Sequence, residues 1–467
     1  MTAESTIAAI ATPIGVGGIG IIRISGDRAF EVACHLFKPS SAKFRTPFSL
    51  CQKESILSHH LFHGHIIHPQ HGVIVDEVML AVMKSPHSYT REDVVEIQSH
   101  SGYGVLNTIL SLVLEQNVRI AEPGEFTRRA FLNGRIDLTQ AEAVIDLINA
   151  RSRLSAQVAA RQLAKGLSQY LLPVKTALLD IICRMEASID FPDDVEDAVD
   201  PHISRIDETV VEPVRYLLNQ YQAYSHLREG IRVTIIGRPN VGKSSLMNLL
   251  LNRDRAIVTE IPGTTRDSIE DRLFIGDIQV ILVDTAGIHN ALDPVEQKGV
   301  ERSYQQIDEA DLIIFVTDAL HAFDSEDIRL LQDIRKKHCL IVVNKIDLIP
   351  ENRAMQSQTE YESLPMKAIS ILQKINTKNL TEWLWRHIRS SDINHSIDLI
   401  PNMRHKLALE KMISNLETAK TGLQSGMTLD GIVIDLRDAL HALGEISGEH
   451  YDEEIISRIF ESFCIGK

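Results

Sequence analysis

Apolar and polar positions alternate differently in successive parts of the chain. In residues 1–120, short runs rich in β-branched residues alternate with glycine and proline turns, a pattern typical of strands. We therefore predict strands at Ile19–Ile24, Val73–Val82 and Val94–Ile97. Between residues 121 and 229 the apolar positions recur at the spacing of helices, so this part of the chain is expected to be helical.

Residues 230–391 return to apolar runs that alternate with helical segments, which predicts a parallel sheet flanked by helices. The predicted strands are Arg232–Ile236, Ile278–Val283, Leu312–Val316 and Leu340–Val343. Residues 392–467 are helical again and carry an apolar stripe between Leu429 and Leu443. Since neither helical stretch has enough partners to bury its own stripes, we expect both to pack together, with the α/β domain inserted. Helices that pair in a dimer are the alternative.

The composition bounds the class of protein. At about 150 residues per domain, the 467 residues correspond to about three domains. No apolar run reaches the ~18 residues of a spanning helix, and no basic segment precedes the first apolar stretch. The five cysteines have neither a disulfide framework nor metal-ligand spacing. We therefore expect a cytoplasmic protein without a membrane segment.

The net charge of −15 argues against an extended nucleic-acid surface, because binding to phosphates requires basic residues. The local exception is Arg119–Lys165, which has eight basic residues against five acidic ones. This stretch is either the solvated face of helices or a surface for RNA.

The strongest chemical signal is Gly237–Ser244, which fits the motif G-x-x-x-x-G-K-S. An apolar run precedes it and a helical segment follows it, as a phosphate-binding loop requires. Backbone N–H groups of such a loop cradle phosphates at the helix N-terminus. Lys243 would reach the β- and γ-phosphate oxygens, and the Ser244 hydroxyl would hold Mg²⁺.

Three further motifs follow in the order expected of a GTPase. Gly263-Thr-Thr-Arg-Asp can supply a hydroxyl to Mg²⁺, and Asp284-Thr-Ala-Gly ends a predicted strand, where a Walker-B carboxylate belongs. Asn344-Lys-Ile-Asp347 ends another strand. Its carboxylate can accept from the N1–H and N2–H₂ of guanine, a donor pair that adenine lacks, so the motif selects GTP over ATP. Ser370 matches the fifth motif of such proteins only in part, which leaves its base contacts open.

Hydrolysis also needs a group that orients the attacking water. The residue after Asp-Thr-Ala-Gly is Ile288, which has no polar side chain. The candidates in the following segment are Asp293 and Glu296, and from the residues alone either is equally a solvated helix acid.

These motifs belong to a pattern that runs essentially from end to end. Its other parts are Ala11-Thr-Pro13, Gly17–Gly26, Ser88–Asp93, Pro123–Gly134, Ile189–Pro192 and the closing Phe463-Cys-Ile-Gly-Lys467. Together they resemble the tRNA modification GTPases of the MnmE family, also called TrmE. The resemblance implies a tetrahydrofolate-binding and dimerising α/β domain at 1–120, a helical domain from 121–229 and 392–467, and an inserted Ras-like P-loop GTPase domain at 230–391.

The resemblance also implies a function. Members are K⁺-activated GTPases that work with the FAD-dependent partner MnmG. They add a carboxymethylaminomethyl-type group to C5 of the wobble uridine of certain tRNAs, with 5-formyltetrahydrofolate or a related tetrahydrofolate as one-carbon donor. By position, the folate contacts fall on Arg23, Glu96, Arg135 and Lys467; Arg135 stands where the family often has Lys. The alternative is an RNA-binding regulatory or ribosome-assembly GTPase without modification activity.

The resemblance assigns the nucleotide site residue by residue. The expected K⁺ ligands are the side chains of Asn240 and Thr264 and the main chain of Thr259 and Ile261, and those of Mg²⁺ are Ser244 and Thr265. The expected GTP-binding residues are Asn240, Val241, Gly242, Lys243, Ser244, Ser245, Thr259, Glu260, Ile261, Pro262, Gly263, Thr264, Thr265, Asp284, Thr285, Ala286, Gly287, Asn344, Lys345 and Asp347.

Two catalytic assignments complete the expectations. The family's water-orienting acid falls on Glu296, which favours it over Asp293. Cys464 falls on a motif cysteine that modification requires, although a cysteine beside Ile465 is from the residues alone a small apolar packer. Ser101-Gly102 departs from the usual pattern, where His-Gly-Gly is common.

Overall fold

The computed structural model describes residues 5–13, 15, 17–40, 57–150, 152–191, 206–253, 270–275, 278–284, 305–321, 323, 325–334, 337–349, 364–389, 399–450 and 453–467. The chain divides into two compact units. The first unit comprises Met1–Ile148, Arg161–Val214 and Leu407–Lys467, and the second comprises Asn149–Ala160 and Arg215–Lys406. The domain boundaries at residues 120, 229 and 391 stay predictions.

The first unit contains a seven-stranded sheet. Its strands are β1 Ile7–Ile10, β2 Ile19–Ser25, β3 Phe37–Pro39, β4 His60–Ile67, β5 Ile74–Met83, β6 Val94–His100 and β7 Arg119–Ile120. Their order is β3-β4-β5-β6-β2-β1-β7, and neighbours are antiparallel except β1 and β7. The three predicted strands are confirmed as β2, β5 and β6, whereas β1, β3, β4 and β7 were not predicted.

One face of this sheet is buried beneath two helices, α1 (Ala29–Leu36) and α2 (Tyr103–Leu114). Ile22, Leu80 and Ile109 lie in the shared core and are fully buried. An antiparallel sheet that is covered on one side has alternating apolar and polar positions, and the strand β6 shows this alternation in its burial.

The remaining helices follow in chain order. They are α3 Glu125–Leu132, α4 Leu138–Asn149, α5 Arg153–Lys165, α6 Leu167–Asp190, the π-helical turn Asp207–Val211, α7 Glu212–Glu229, α8 Lys243–Arg253, α9 Ser325–Ile334, α10 Thr377–Arg389, α11 Met403–Gln424, α12 Leu429–Ser447 and α13 Glu453–Glu461. In the first unit, α6 packs against α12. The buried stripe of α12 includes Val433, Leu436 and Leu443, so apolar burial joins segments far apart in the sequence.

The second unit contains a six-stranded sheet. Its strands are β8 Ile231–Ile236, β9 Glu270–Ile275, β10 Ile278–Asp284, β11 Leu312–Asp318, β12 Cys339–Asn344 and β13 Met366–Ala368. Their order is β13-β12-β11-β8-β10-β9, and the neighbours are parallel except for the antiparallel edge strand β9. This confirms the predicted parallel sheet and its Ras-like order. Ligands of such folds bind at the carboxyl ends of the strands, where the order reverses, which here is beside β8.

One expectation about cysteines is wrong. Cys34 is disulfide-bonded, although the scattered spacing predicted no disulfide framework. The other described cysteines, Cys183, Cys339 and Cys464, are free. Across the described ranges, no helix has the length and apolar character needed to cross a membrane.

Candidate functional site

The phosphate-binding motif connects β8 to α8, and two of its glycines are required by their surroundings. Gly237 has φ +141° and Gly242 has φ +104°, conformations that side chains rarely adopt. A Cβ atom on Gly237 would lie 2.1 Å from the carbonyl oxygen of Val316, and one on Gly242 would lie 2.4 Å from Nδ2 of Asn344. The loop therefore packs directly on β11 and on the side chain that ends β12.

The P-loop lysine folds back on its own loop. Lys243 is 8% exposed, and its Nζ donates to the carbonyl oxygens of Gly237 and Arg238, both at 2.7 Å. Ser244 and Ser245 follow in the exposed first turn of α8. The N–H groups and the dipole of a helix N-terminus favour an anion at this position. Asn240 lies in the left-handed region with φ 63°.

The carboxyl end of β12 is tied to the P-loop by Asn344. This side chain is 4% exposed; its Nδ2 donates to the carbonyl oxygen of Val241 at 2.9 Å, and its Oδ1 accepts from the N–H of Ile371 at 3.2 Å. Asn344 therefore joins the phosphate loop and the segment after Ser370. Ser370 is itself fully buried, and its backbone exchanges hydrogen bonds with Ile375.

Asp347 has the property that a guanine contact requires. Its Oδ1 is shielded from solvent and has no hydrogen-bond partner among the described residues. Buried acceptors without a partner are rare in proteins and call for one. The amide and amino donors of a guanine base would provide it, so the residue fits its expected role.

The sequence motifs did not predict two charged contacts of this site. Arg238 forms a bidentate ion pair with the buried carboxylate of Asp327 on α9. Asp318, at the end of β11, accepts from Nζ of Lys345 at 3.1 Å. Burial raises the pKa of Asp318, but hydrogen bonds from His321 and the lysine outweigh this effect and leave the pKa below its ordinary value. The sequence feature that could have identified Asp318 is its position at the end of an apolar run, which Asp284 and Asn344 share.

The rest of the expected nucleotide site lies outside the described residues. This applies to Thr259–Thr265, to Thr285–Gly287 and to Glu296. The backbone of Asp284 closes β10. One of the four expected K⁺ ligands, Asn240, and one of the two expected Mg²⁺ ligands, Ser244, are therefore described.

A second cluster in the first unit brings together the residues expected to bind folate. Arg23 on β2 and Glu96 on β6 are cross-strand partners, and Arg23 Nε donates to Glu96 Oε1 at 2.8 Å. Arg23 also donates to the carbonyl oxygen of Gly466 at 3.4 Å. A Cβ atom on Gly466 would lie 2.4 Å from the carbonyl oxygen of Ile10, so Gly466, the residue before Lys467, is seated at the end of β1.

Aromatic side chains complete this cluster. The guanidinium carbon of Arg23 lies 5.6 Å from the ring centre of Tyr89 and 5.5 Å from that of Phe126. The guanidinium carbon of Arg135 lies 4.6 Å from the ring centre of Tyr89. Sequence reasoning missed Tyr89 as a site residue, although it lies within the quoted segment Ser88–Asp93.

The structure also describes the surroundings of two other positions that the sequence singled out, Cys464 and Ser101. Cys464 is exposed, so the interpretation as a small apolar packer is wrong. Ser101, where the pattern departs from the family, is buried. Its hydroxyl donates to the carbonyl oxygen of Gly17 and accepts from the N–H of Gly17 at 3.0 Å. The departure is accommodated by this local pair of hydrogen bonds.

Part of the basic stretch Arg119–Lys165 is used inside the first unit. Arg129 is 2% exposed and donates to Glu125 at 2.9 Å and to Glu92 at 3.1 Å. Arg119 also pairs with Glu125. Burial raises the pKa of Glu125, but hydrogen bonds from the two arginines and one backbone N–H outweigh it and leave the pKa below its ordinary value. Both arginines hold carboxylates, but only Arg129 is buried, whereas the side chain of Arg119 is 42% exposed.

Comparison with known proteins covers the whole chain. The family model described as MnmE helical domain matches residues 138–464, and the one described as GTP-binding protein TrmE N-terminus matches residues 6–135. A tRNA modification GTPase MnmE from Carboxydothermus hydrogenoformans is 43% identical over 481 residues, which cover 99% of this chain and 100% of that protein. The protein of the same name from Geobacillus kaustophilus is 42% identical over 475 residues, which cover 100% of both.

Solved structures match in part. Era from Aquifex aeolicus, bound to GDP·AlF4⁻, is 27% identical over 39% of this chain and 67% of that chain, with a TM-score of 0.29. The G domain of FeoB from T. maritima is 22% identical over 34% of this chain and 99% of that chain, with a TM-score of 0.25. These scores are too low to show a common overall structure. The family models and the full-length relatives decide the matter: the chain belongs to the MnmE family of tRNA modification GTPases.

Proposed function

We propose that this chain is a K⁺-activated GTPase that acts with MnmG to add a carboxymethylaminomethyl-type group to C5 of the wobble uridine of certain tRNAs. The observation that carries the proposal is the convergence of Arg23, Glu96, Arg135 and the C-terminal Gly466 in the first unit. A regulatory or ribosome-assembly GTPase has no need of this cluster. The modification enzyme needs it to hold a one-carbon donor.

The cluster suits a tetrahydrofolate by its chemistry. Guanidinium groups bind carboxylates through paired N–H donors, and the glutamate tail of a folate carries such carboxylates. The carboxylate of Glu96 can accept from the N–H groups of the pterin ring. Lys467 would add a third cationic side chain, at the chain end. We propose that Arg23, Glu96, Arg135 and Lys467 hold 5-formyltetrahydrofolate or a related one-carbon form, and that the exposed Cys464 serves the modification step.

The GTP-binding groups are proposed in the same way. Lys243 would exchange its two carbonyl partners for the β- and γ-phosphates, and Asp347 would accept from guanine. Mg²⁺ would take Ser244 and Thr265, and both it and K⁺ would offset the negative charge that develops on the phosphates. The K⁺ ligands would be Asn240, Thr264 and the main chain of Thr259 and Ile261. Glu296 would orient the attacking water.

The partners follow from the family and from the charge. We propose a cytoplasmic homodimer that forms a heterocomplex with MnmG and takes tRNA as its substrate. With a net charge of −15, and with Arg119 and Arg129 engaged by carboxylates, the chain alone would bind tRNA weakly and with strong salt dependence. The partner would then supply much of the basic surface.

The deciding experiment is nucleoside analysis of tRNA by mass spectrometry from cells that lack this protein. We expect the wobble-uridine modification to disappear and to return when the unsubstituted chain is expressed. Arg23→Ala should fail to restore it. Arg28→Ala is the matched control, because Arg28 lies in an exposed ion pair with Glu31, and this variant should restore the modification. Unchanged wobble uridines in the deleted cells would favour the RNA-binding regulatory GTPase instead.

A further inference from the structure

We infer that Tyr89 is a positioning residue of the proposed folate site, and that it acts mainly through Arg135. This inference rests on the proposed function and adds a residue to it. Its basis is the contact that the two arginines share: both guanidinium groups lie within 6 Å of the centre of the Tyr89 ring. A cation over an aromatic face is attracted by the negative face of the ring.

The segment that carries Tyr89 is held on both sides. The Ser88 hydroxyl donates to the carbonyl oxygen of Glu92 at 2.6 Å. The carbonyl oxygen of Thr90 accepts from Nδ2 of Asn133 at 2.7 Å. The Tyr89 hydroxyl lies 3.0 Å from the hydroxyl of Thr127, a fully buried residue. Because backbone and hydroxyl are both held, the ring is a fixed surface, which makes it suitable for orienting a neighbouring group.

The two arginines depend on this ring to different degrees. Arg23 has the carboxylate of Glu96, the carbonyl oxygen of Gly466 and the ring of Phe126 as further partners. Among the described residues, no hydrogen bond or ion pair holds the guanidinium of Arg135, and the aromatic ring that it lies over is that of Tyr89. Removal of the ring should therefore release Arg135 and leave Arg23 in position.

This arrangement leaves the donors of Arg135 available. A guanidinium carries five N–H donors in its plane, and contact with a ring face does not use them when the two planes stack. Tyr89 thus limits the rotamers of a long cationic side chain while its donors remain open to a ligand carboxylate. A side chain that is ordered before binding loses less entropy on binding, so the ring should raise the affinity for an anionic ligand.

The test is calorimetric titration of 5-formyltetrahydrofolate into the full-length protein. We expect Tyr89→Leu to weaken binding about tenfold, and Tyr89→Phe, which keeps the ring, to stay within about twofold of the unsubstituted chain. Tyr103→Leu is the matched control, because Tyr103 is 69% exposed at the start of α2, and it should bind as the unsubstituted chain does. If Tyr89→Leu lowers the melting temperature, Tyr89→Met replaces it in the test, because methionine fills more of the space. We expect this variant to weaken binding by the same factor.

A double-mutant cycle separates positioning from simple loss of structure. Since Tyr89 acts through Arg135, Tyr89→Leu should have almost no further effect in an Arg135→Ala background. It should keep its roughly tenfold effect in an Arg23→Ala background. Two results would overturn the role of Tyr89 and leave the proposed folate site intact. One is an affinity of Tyr89→Leu equal to that of the unsubstituted chain, and the other is full additivity of its effect with that of Arg135→Ala. Failure of the unsubstituted chain to bind the folate would overturn both this role and the proposed donor.

Discussion

Replacement of Asn344 by Ala should weaken GTP binding. The effect is indirect, because it does not require this side chain to contact the phosphates. The substitution removes one hydrogen bond to the carbonyl oxygen of Val241, at 2.9 Å, and one from the N–H of Ile371, at 3.2 Å. The carbonyl of Val241 and the N–H of Ile371 lie beside the Asn344 side chain, which is 4% exposed. Water therefore has poor access to replace the lost hydrogen bonds. The change therefore frees the P-loop and the segment after Ser370 together.

The magnitude follows from these two bonds. A typical hydrogen bond contributes about 1 kcal/mol net, and a buried group left without a partner costs about 1–3 kcal/mol. The loss of both hydrogen bonds therefore costs at least about 2 kcal/mol. If the whole loss falls on the nucleotide-bound form, GTP affinity drops about 30-fold, since 1.4 kcal/mol corresponds to a factor of ten.

Fluorescence titration with an N-methylanthraniloyl derivative of GTP measures this affinity directly. Asn107→Ala is the matched control, because Asn107 donates from an exposed position on α2 to the carbonyl oxygen of Tyr103, and it should bind the nucleotide normally. The preference for GTP over ATP should persist in Asn344→Ala, since the carboxylate of Asp347 remains. An affinity within threefold of the unsubstituted chain would refute the assigned role of the two bonds.

Three other predictions concern the ions, the pH dependence and the thiols. GTP hydrolysis should be faster in K⁺ than in Na⁺ and should fall sharply in Glu296→Ala while GTP binding is retained; equal rates in the two salts would exclude the proposed cation. The pKa of Asp318 is lowered in the folded protein. Its carboxylate therefore stabilises the fold at pH values above the ordinary pKa of about 4, and this stability is lost as the pH falls through the lower pKa of the folded state. Asp318→Asn should therefore flatten the acid side of a plot of melting temperature against pH. Burial raises the pKa of the Cys339 thiol to about 12, so a thiol reagent at neutral pH should modify the exposed Cys183 and Cys464 and spare Cys339; loss of one reactive thiol in Cys339→Ala would contradict this.

The phosphate loop was predictable because its signals are local. A phosphate loop needs its glycines, lysine and serine within one turn, so the sequence Gly237–Ser244 already contains the geometry. The ends of β10 and β12 were predictable for a related reason, since a polar residue directly after a buried apolar run marks the carboxyl edge of the sheet. β9 escaped prediction because its sequence, Glu-Asp-Arg-Leu-Phe-Ile, begins with three charged residues and lacks a continuous apolar run.

Contacts between distant segments were not predictable from the residues alone. Glu92, which is half-buried, and the buried Glu125 form ion pairs with the buried Arg129, yet each of the three reads in the sequence as a surface charge. The count of basic residues in Arg119–Lys165 therefore overstates the exposed charge by at least Arg129, because a count does not distinguish solvated arginines from those that hold buried carboxylates. Burial of Arg129 is a property of the fold, and no local pattern records it.

The proposed folate cluster lies between these two cases. Its four expected residues came from resemblance to a family, and the physical reason for their proximity appears only in the fold. The register of β2 and β6 sets Arg23 opposite Glu96, which is 73 positions away, and the chain end reaches Arg23 across 443 positions. Tyr89 was missed because its role depends on the guanidiniums that flank it, which no spacing in the sequence reveals. An aromatic residue that positions a cation can be recognised only after the fold has brought the two together, and for that reason Arg135 and Tyr89 have to be tested as a pair.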